Sequence, residues 1–412
     1  MCKKNGKRID WLLKGAITGG APMVQRSKAE TLETKVSKTL LLYCDHWQNG
    51  GVESYLMNLL RNERPAKLKC TLLTADKTTD IYDNELQQMG IKHTVLLSKT
   101  YVSPVRRILH TFGAFKIYIK QHPCDIVYLN LSNSVTMHYA RLAQRCGVVR
   151  RIVHSHCSDV KPGPSRPVKK LGSLIARQLN ADAVTDCWAC SDKAAKWMFP
   201  QRLQKKVVFI PNAIDTRKFM FQEDARSAVR QRLGVEAKTV VGNVGRFTTQ
   251  KNQRFLLEAF AGYHKKNKAS ILLLVGAGPL RTQVETQANE LGVEDNCIFL
   301  GSVVAENMPP LYWAMDVFCL PSTIEGNPVA GIEAQAAGCK CLFSDTITRQ
   351  VGILEDVAFL PIDTGIDCWI KELEKTKPKK LRQNAQAAAA EAGYNIEEVS
   401  RITWKRLLNE VI

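Results

Sequence analysis

In the stretch EGNPVAGIEAQAAG, residues 325–338, two carboxylates stand eight positions apart around a Gly-Asn-Pro turn. A short apolar run, DVFCLPS, precedes it and reads as a buried strand, so a helix beginning at about Pro328 is expected, where a missing N–H costs nothing. The free N–H groups of Val329, Ala330 and Gly331 would then present the positive end of the helix dipole, an arrangement suited to phosphate. Gly326 and Gly331 are expected to let a ligand approach the backbone closely. Glu333 lies about 7 Å along the axis beyond Pro328, and a carboxylate there can accept from both hydroxyls of a ribose. Glu325 would face the other side of a diphosphate, the two acids bracketing a sugar nucleotide. Taken alone, the pair is equally well explained by helix-end electrostatics at Glu325 and an exposed face at Glu333.

A second constellation favours the ligand reading. In GNVGRFTTQKN, residues 242–252, Arg246 and Lys251 stand five apart in a Gly/Thr-rich loop after a strand. A planar fork and a point charge can grip one diphosphate together. When a nucleoside diphosphate leaves an anomeric carbon, negative charge grows, and fixed cations stabilise it more in the transition state than before. The sequence has no Asp-x-Asp of the kind that holds a divalent ion under a diphosphate, so no metal and no cofactor are expected.

The elements that would position these residues alternate. TLLLYC, KCTLLTA, KHTVLL, DIVYLNL and RRIVHSH read as strands separated by helical stretches such as VESYLMNLLRN and HYARLAQRCG. A second series, TVVGNVG, ASILLLVGAG, CIFLGSV, DVFCLPS and CKCLFSD, follows IPNAID and the helix EDARSAVRQRLG. The fold class is therefore α/β, two Rossmann-like domains facing a central cleft, with ligand at the carboxyl ends of the strands. Residues 1–36 read as a poorly ordered leader, 37–208 as the first domain, 209–394 as the second, and 395–412 as a helix packing back on the first.

The chain has 412 residues, 45% of them hydrophobic, enough for two cores. Its net charge of +19 is uneven: residues 1–200 carry 31 Lys and Arg against 15 Asp and Glu. A basic first half suits an anionic lipid surface, nucleic acid or a phosphorylated substrate, and the absence of any recognised nucleic-acid motif argues against the second. VRRILHTFGAFKIYIKQ combines apolar and cationic residues in a pattern that fits a membrane surface and, equally, an ordinary Rossmann helix. No apolar run is long enough to span a bilayer, and thirteen scattered cysteines suggest reduced thiols, so a cytoplasmic protein is expected, peripheral at the inner face of the plasma membrane.

Together with NGGVESYLMNLLR, RIVHSHCSD, FIPNAIDTRKF and LLVGAGPL, these blocks resemble the retaining glycosyltransferases of family 4, which have the GT-B fold, and within them the branch that builds capsular and exopolysaccharides. The resemblance implies that Arg246 and Lys251 contact the donor diphosphate, that Glu333 binds ribose, and that Glu325 lies at the donor sugar. It places Asn327, Pro328, Val329 and Ala330 against phosphate and sugar, Val303 against the base, and Gly50 and Gly51 at a turn that nears the phosphates when the cleft closes. His156 falls where the family faces the reacting sugar, with His154 as a substitute; a satisfied side chain at a strand end explains either equally. Asn327 and Ala213 depart from the family pattern. The implied partners are a nucleotide-sugar donor, a UDP-sugar by preference, and a lipid-linked glycan acceptor. A sugar-nucleotide epimerase of this architecture and a catalytically silent sugar-nucleotide binder are the rival readings.

Overall fold

A computed structural model describes residues 37–48, 50–97, 103–160, 162–376, 382 and 384–409. The expected leader, residues 1–36, lies outside them, as do the last three residues of the expected C-terminal helix.

The chain forms two wholly parallel sheets. The first is built from β1 (Lys38–Trp47), β2 (Leu68–Lys77), β3 (Lys92–Val95), β4 (Ile126–Leu131), β5 (Arg150–Ser155), β6 (Asp186–Ala189) and β7 (Val207–Phe209), in the order β3-β2-β1-β4-β5-β6-β7. The second comprises β8 (Thr239–Val244), β9 (Ser270–Val275), β10 (Cys297–Gly301), β11 (Val317–Leu320), β12 (Lys340–Ser344) and β13 (Val357–Leu360), in the order β10-β9-β8-β11-β12-β13. Central strands such as β4, β9 and β11 are buried along their whole length. This is why they appear in the sequence as continuous apolar runs rather than alternating ones.

Each sheet reverses its winding once, between β1 and β4 and between β8 and β11. At such a reversal the loops leaving the two strands diverge, opening a crevice at their carboxyl ends.

The chain crosses between the sheets twice. The two crossings lie side by side: the Ile214 N–H donates to the Tyr394 carbonyl (3.0 Å) and the Ile396 N–H to the Ile214 carbonyl (2.9 Å). After the second crossing the helix Ile396–Leu408 begins at Asn395, whose side chain accepts from the Glu397 N–H, with Glu397 and Glu398 in its first turn and Lys405 and Arg406 in its last. Its buried face, Ile396, Val399, Trp404, Leu407 and Leu408, packs with Leu40, Leu42, Tyr55 and Leu59 of the first sheet's core.

The Ala-rich segment forms a short helix, Ala385–Ala389, broken at Gly393 by a left-handed residue (φ 86°) just before the second crossing. Cys187 and Cys190 are buried free thiols in and beside β6. Within the described residues, no helix is long and apolar enough to cross a membrane.

Candidate functional site

The loops after β8 and β11 bring Lys251 and Glu325 together. Lys251 Nζ lies 2.6 Å from Glu325 Oε1, with both side chains largely buried. Backbone pairing fixes the two loops on each other: the Thr323 N–H donates to the Gln250 carbonyl (2.8 Å), and Gln250 Nε2 donates to the Ile324 carbonyl (2.8 Å). Gly276 and Gly278, after β9, complete the floor. A Cβ at Gly278 would meet the Phe247 carbonyl at 2.4 Å, and one at Gly276 the Gly245 carbonyl at 2.2 Å, so only glycine allows this loop to lie against the Arg246 turn.

Arg246 reaches across to the first sheet, where its guanidinium donates to Gln48 Oε1. Gln48 follows β1 and is anchored in turn: its N–H donates to Glu53 Oε1 (3.3 Å). Glu53 is the third residue of the helix Gly51–Arg61, whose N-cap is Gly50. An acid at this position can reach back to the N–H groups ahead of the helix. Burial pushes the Glu53 carboxyl up to about 7, against the pull of the neighbouring N–H groups and of Arg246. Neither Gly50 nor Gly51 has a positive φ; Gly50 is extended (φ −148°), and Gly51 has open space where a Cβ would stand.

The second sheet's helix runs Val329–Ala336 with Pro328 as its N-cap, one position earlier than the first-turn placement expected. The Gly331 N–H already donates to the Pro328 carbonyl (3.0 Å), which leaves the N–H groups of Val329 and Ala330 for a ligand rather than three. The two glycines serve packing and not ligand approach. A Cβ at Gly326 would sit 2.1 Å from the His156 carbonyl and 2.9 Å from Cys190 Sγ, and one at Gly331 would press on the Phe343 ring at 3.0 Å. Gly326 is thus where the donor-side loop docks on the first sheet, a contact completed by Ser158 Oγ donating to the Glu325 carbonyl (2.6 Å).

Glu333 is half-buried, and one oxygen accepts from Tyr312 Oη (2.7 Å). Burial pushes its carboxyl up to about 7, with the tyrosine hydrogen bond pulling the other way. Its second oxygen has no protein donor among the described contacts, so the group retains capacity for a ligand hydroxyl. Val303 is half-buried after β10, at the same end of the sheet.

His154 and His156 part company. His154 is fully buried: Nε2 lies 3.2 Å from the Ile210 carbonyl, to which it donates, and Nδ1 accepts from Tyr128 Oη (2.7 Å), itself bonded to Tyr55 Oη (2.7 Å). Sealed in this chain, His154 cannot serve as the substitute for His156. His156 follows β5, its Nδ1 3.2 Å from Asn212 Oδ1 and its Nε2 3.0 Å from Asn130 Oδ1. Burial pushes its imidazole down to about 3, so the ring is neutral and donates to only one of the two amides. A neutral ring can orient a sugar by hydrogen bonding but supplies no charge.

Asn212 extends this network across the crossing point, its Nδ2 donating to the Asn327 carbonyl (2.8 Å). Asn327 turns its amide toward Tyr394 Oη (3.2 Å), leaving its own Oδ1 buried without a partner. Gln48, Glu53, Asn130, Asn212 and Tyr312 were not singled out from the sequence. Only Glu53 had a local signal, its spacing from Gly50, because the others gain meaning through residues more than 20 positions away.

Comparisons with known proteins agree with this geometry. The family model "Glycosyltransferase Family 4" matches residues 49–218, and "Glycosyl transferases group 1" matches residues 225–360. EpsF of Bacillus subtilis (strain 168), which has a provisional glycosyltransferase name, is 29% identical over 88% of this chain and 94% of its own length. The Escherichia coli UDP-Gal:alpha-D-GlcNAc-diphosphoundecaprenol alpha-1,3-galactosyltransferase is 26% identical over 68% of this chain and 73% of its own. Among solved structures, Anabaena Alr3699/HepE in complex with UDP-glucose superposes with a TM-score of 0.68, at 18% identity, over 90% of this chain and 100% of that one. Sucrose-phosphate synthase from Thermosynechococcus elongatus does so with a TM-score of 0.72, at 18% identity, over 90% and 98%. With two sheets meeting at their winding reversals and family models matching each half, the chain belongs to the glycosyltransferases of the family 4 type, with the two-domain GT-B fold.

Proposed function

We propose that this enzyme transfers a sugar from a UDP-sugar, with retention at the anomeric carbon, to a hydroxyl of a lipid-linked saccharide in exopolysaccharide or capsule assembly. The observation that carries the reading is the Lys251–Glu325 pair at the β8/β11 reversal, on the loop that leads directly into the helix carrying the Val329–Ala330 N–H groups and Glu333. Arg246 stands over the same loop, in reach of Gln48.

In this reading Arg246, Lys251 and the helix end receive the departing diphosphate, and Glu333 accepts from the ribose hydroxyls. Lys251 exchanges part of its contact with Glu325 for phosphate as the donor binds, which frees Glu325 to accept from the donor sugar. His156, a neutral ring held between Asn130 and Asn212, positions that sugar by exchanging one of those amides for it. Because the clamp consists of side-chain cations and backbone N–H groups, the leaving group is stabilised without a divalent ion. The acceptor proton passes to the leaving phosphate.

The E. coli relative, which by its name acts on a diphosphoundecaprenol-linked sugar from UDP-Gal, supports both the donor class and the lipid-linked acceptor. The HepE structure with UDP-glucose is in line with the same donor class. Incubation with a panel of UDP-, GDP- and ADP-sugars, following nucleotide release and product mass with and without a prenyl-diphosphate-linked saccharide, tests the reading. Acceptor-dependent release from a UDP-sugar is expected. Turnover only of GDP- or ADP-sugars, or conversion of donor without any acceptor, would overturn it.

A further inference from the structure

Tyr312 is fully buried, and among the described residues its hydroxyl bonds to Glu333 alone, donating to Oε2 at 2.7 Å. The ring is fixed on that contact, packed between Phe219 and Phe318 with centroids 5.9 Å from each. The short helix that carries it, Met308–Ala314, is held at its carboxyl end by three buried guanidiniums. Arg226 donates to the Trp313 carbonyl, Arg230 to the Ala314 carbonyl (2.8 Å) and Arg382 to the Met315 carbonyl. Asp316, paired with Arg226 (2.6 Å) and Arg230 (3.1 Å), offsets part of their charge, and the carbonyl dipoles of the helix end offset more. Cys339 Sγ closes the same turn by donating to the Tyr312 carbonyl (3.1 Å). This cluster lies at the amino end of β11 and takes no part in the diphosphate clamp; what it fixes is the helix that aims Tyr312.

Glu333, at the other end of the contact, stands one turn beyond the N–H groups of Val329 and Ala330. A carboxylate offers about four lone-pair positions, and the tyrosine takes one, which leaves enough for both hydroxyls of a ribose. Burial and the tyrosine hydrogen bond act in opposite directions on this carboxyl, and no charged group adds to them. The cations on the elements packed against the helix Val329–Ala336 are engaged or exposed: Arg217 pairs with Asp215 (3.5 Å), Lys340 pairs with Glu372 (3.3 Å), and Lys218 is in solvent. Besides Glu333, the titratable neighbours of the tyrosine are Cys339 and Cys341, and burial pushes the Cys339 thiol up, so it stays uncharged. With no cation at hand, the hydroxyl of Tyr312 is the group that favours the ionised carboxylate.

We propose that Tyr312 is a positioning residue for the donor: by holding Oε2 of Glu333 from below, it fixes the plane of the carboxylate and keeps it an acceptor for the ribose hydroxyls. Preorganisation of this kind needs a supporting group whose own geometry is locked, and the arginine-capped helix end supplies that lock. The inference rests on the ribose reading of Glu333 and adds to it a residue that touches no substrate. A purely structural tyrosine would change stability; a positioning one changes the response to ribose and to pH.

The experiment is a titration of UDP and of 2′,3′-dideoxy-UDP into the wild type and Tyr312→Phe, from about pH 6 to about pH 8.5 across the Glu333 titration. The ratio of the two affinities cancels the nucleotide's own phosphate titration. Phenylalanine keeps the ring packing and removes one oxygen. The wild type is expected to prefer UDP, with a ratio that rises with pH through about 7. In Tyr312→Phe the ratio at neutral pH should fall about ten-fold, its rise should move to higher pH, and affinity for the dideoxy nucleotide should stay within about two-fold. An unchanged ratio and profile in the variant, beside a wild type that prefers UDP, would overturn the role of Tyr312 and leave Glu333 on the ribose. Equal loss of both nucleotides would assign the tyrosine to the fold and overturn the proposal as well. A wild type that does not distinguish the two nucleotides would remove the ribose assignment of Glu333 itself, and this inference with it.

Discussion

Replacing Lys251 by Ala perturbs two properties that the structure couples through Glu325. The ammonium lies 2.6 Å from a carboxylate in a largely buried pair, so removing it leaves Glu325 without its counter-charge. Breaking a buried pair from one side costs about 3–5 kcal/mol where no water reaches the remaining charge. Here the crevice retains some access, and about 2–3 kcal/mol of lost stability is expected. Glu325→Gln alone should cost about 1 kcal/mol, because Lys251 can turn toward solvent. The double variant K251A/E325Q removes both charges and should recover most of the stability lost in K251A.

Turnover should behave differently. Loss of one group that stabilises a departing oxyanion costs about 2.7–4 kcal/mol, or 100- to 1,000-fold in kcat. The double variant should stay at least that impaired. Denaturant unfolding gives the stabilities, and the initial rate of nucleotide release gives the turnover. A K251A protein as stable as wild type, or a double variant with restored kcat, would refute the reasoning: in the first case the pair is not buried as described, and in the second Lys251 does not serve the leaving group.

Three further outcomes follow from the same site. Glu333 sits near pH 7 through burial. Ribose hydroxyls donate into its ionised form, so UDP binding should release a proton and affinity should rise as pH increases from about 6 to 8. Calorimetry of wild type against Glu333→Gln isolates this contribution from the nucleotide's own titration, and identical pH slopes would count against ribose anchoring. Gly326→Ala forces a Cβ onto the His156 carbonyl; a 1 Å displacement of the donor loop costs about 100-fold in transfer rate, and a rate within two-fold of wild type would show that the loop need not dock there. Dialysis against a chelator should leave the transfer rate within two-fold, since the proposed clamp uses no divalent ion, and metal-restorable loss of activity would contradict that.

Sheet class and most strands were legible because fully parallel sheets bury strands on both faces, turning TLLLYC and SILLLV into continuous apolar runs. β7 (VVF) and β13 (VAFL) escaped attention. They are three and four residues long, only partly buried at sheet edges, and too short to show a period. Of the charged site residues, Lys251 and Glu325 were placed in one crevice by motif alone, but their direct pairing was not foreseeable, since it depends on how two loops 74 positions apart stack.

The glycines misled for a physical reason. A glycine marks any close approach, and sequence does not say whether the approaching group is ligand, as suggested for Gly326 and Gly331, or another part of the protein, as found. The histidines behaved similarly. His154 lies in β5 and His156 just past its end, and only the three-dimensional partners reveal that the first is sealed in a tyrosine chain and the second lies between two amides.

In the proposed mechanism, two side-chain cations and a helix end hold a diphosphate at the β8/β11 reversal. A crystal structure of the enzyme with UDP tests this most directly. Phosphate oxygens are expected within hydrogen-bond reach of Arg246, Lys251 and the Val329–Ala330 N–H groups, with both ribose hydroxyls on Glu333. Nucleotide bound elsewhere, or a diphosphate in this crevice held by neither Arg246 nor Lys251, would contradict it.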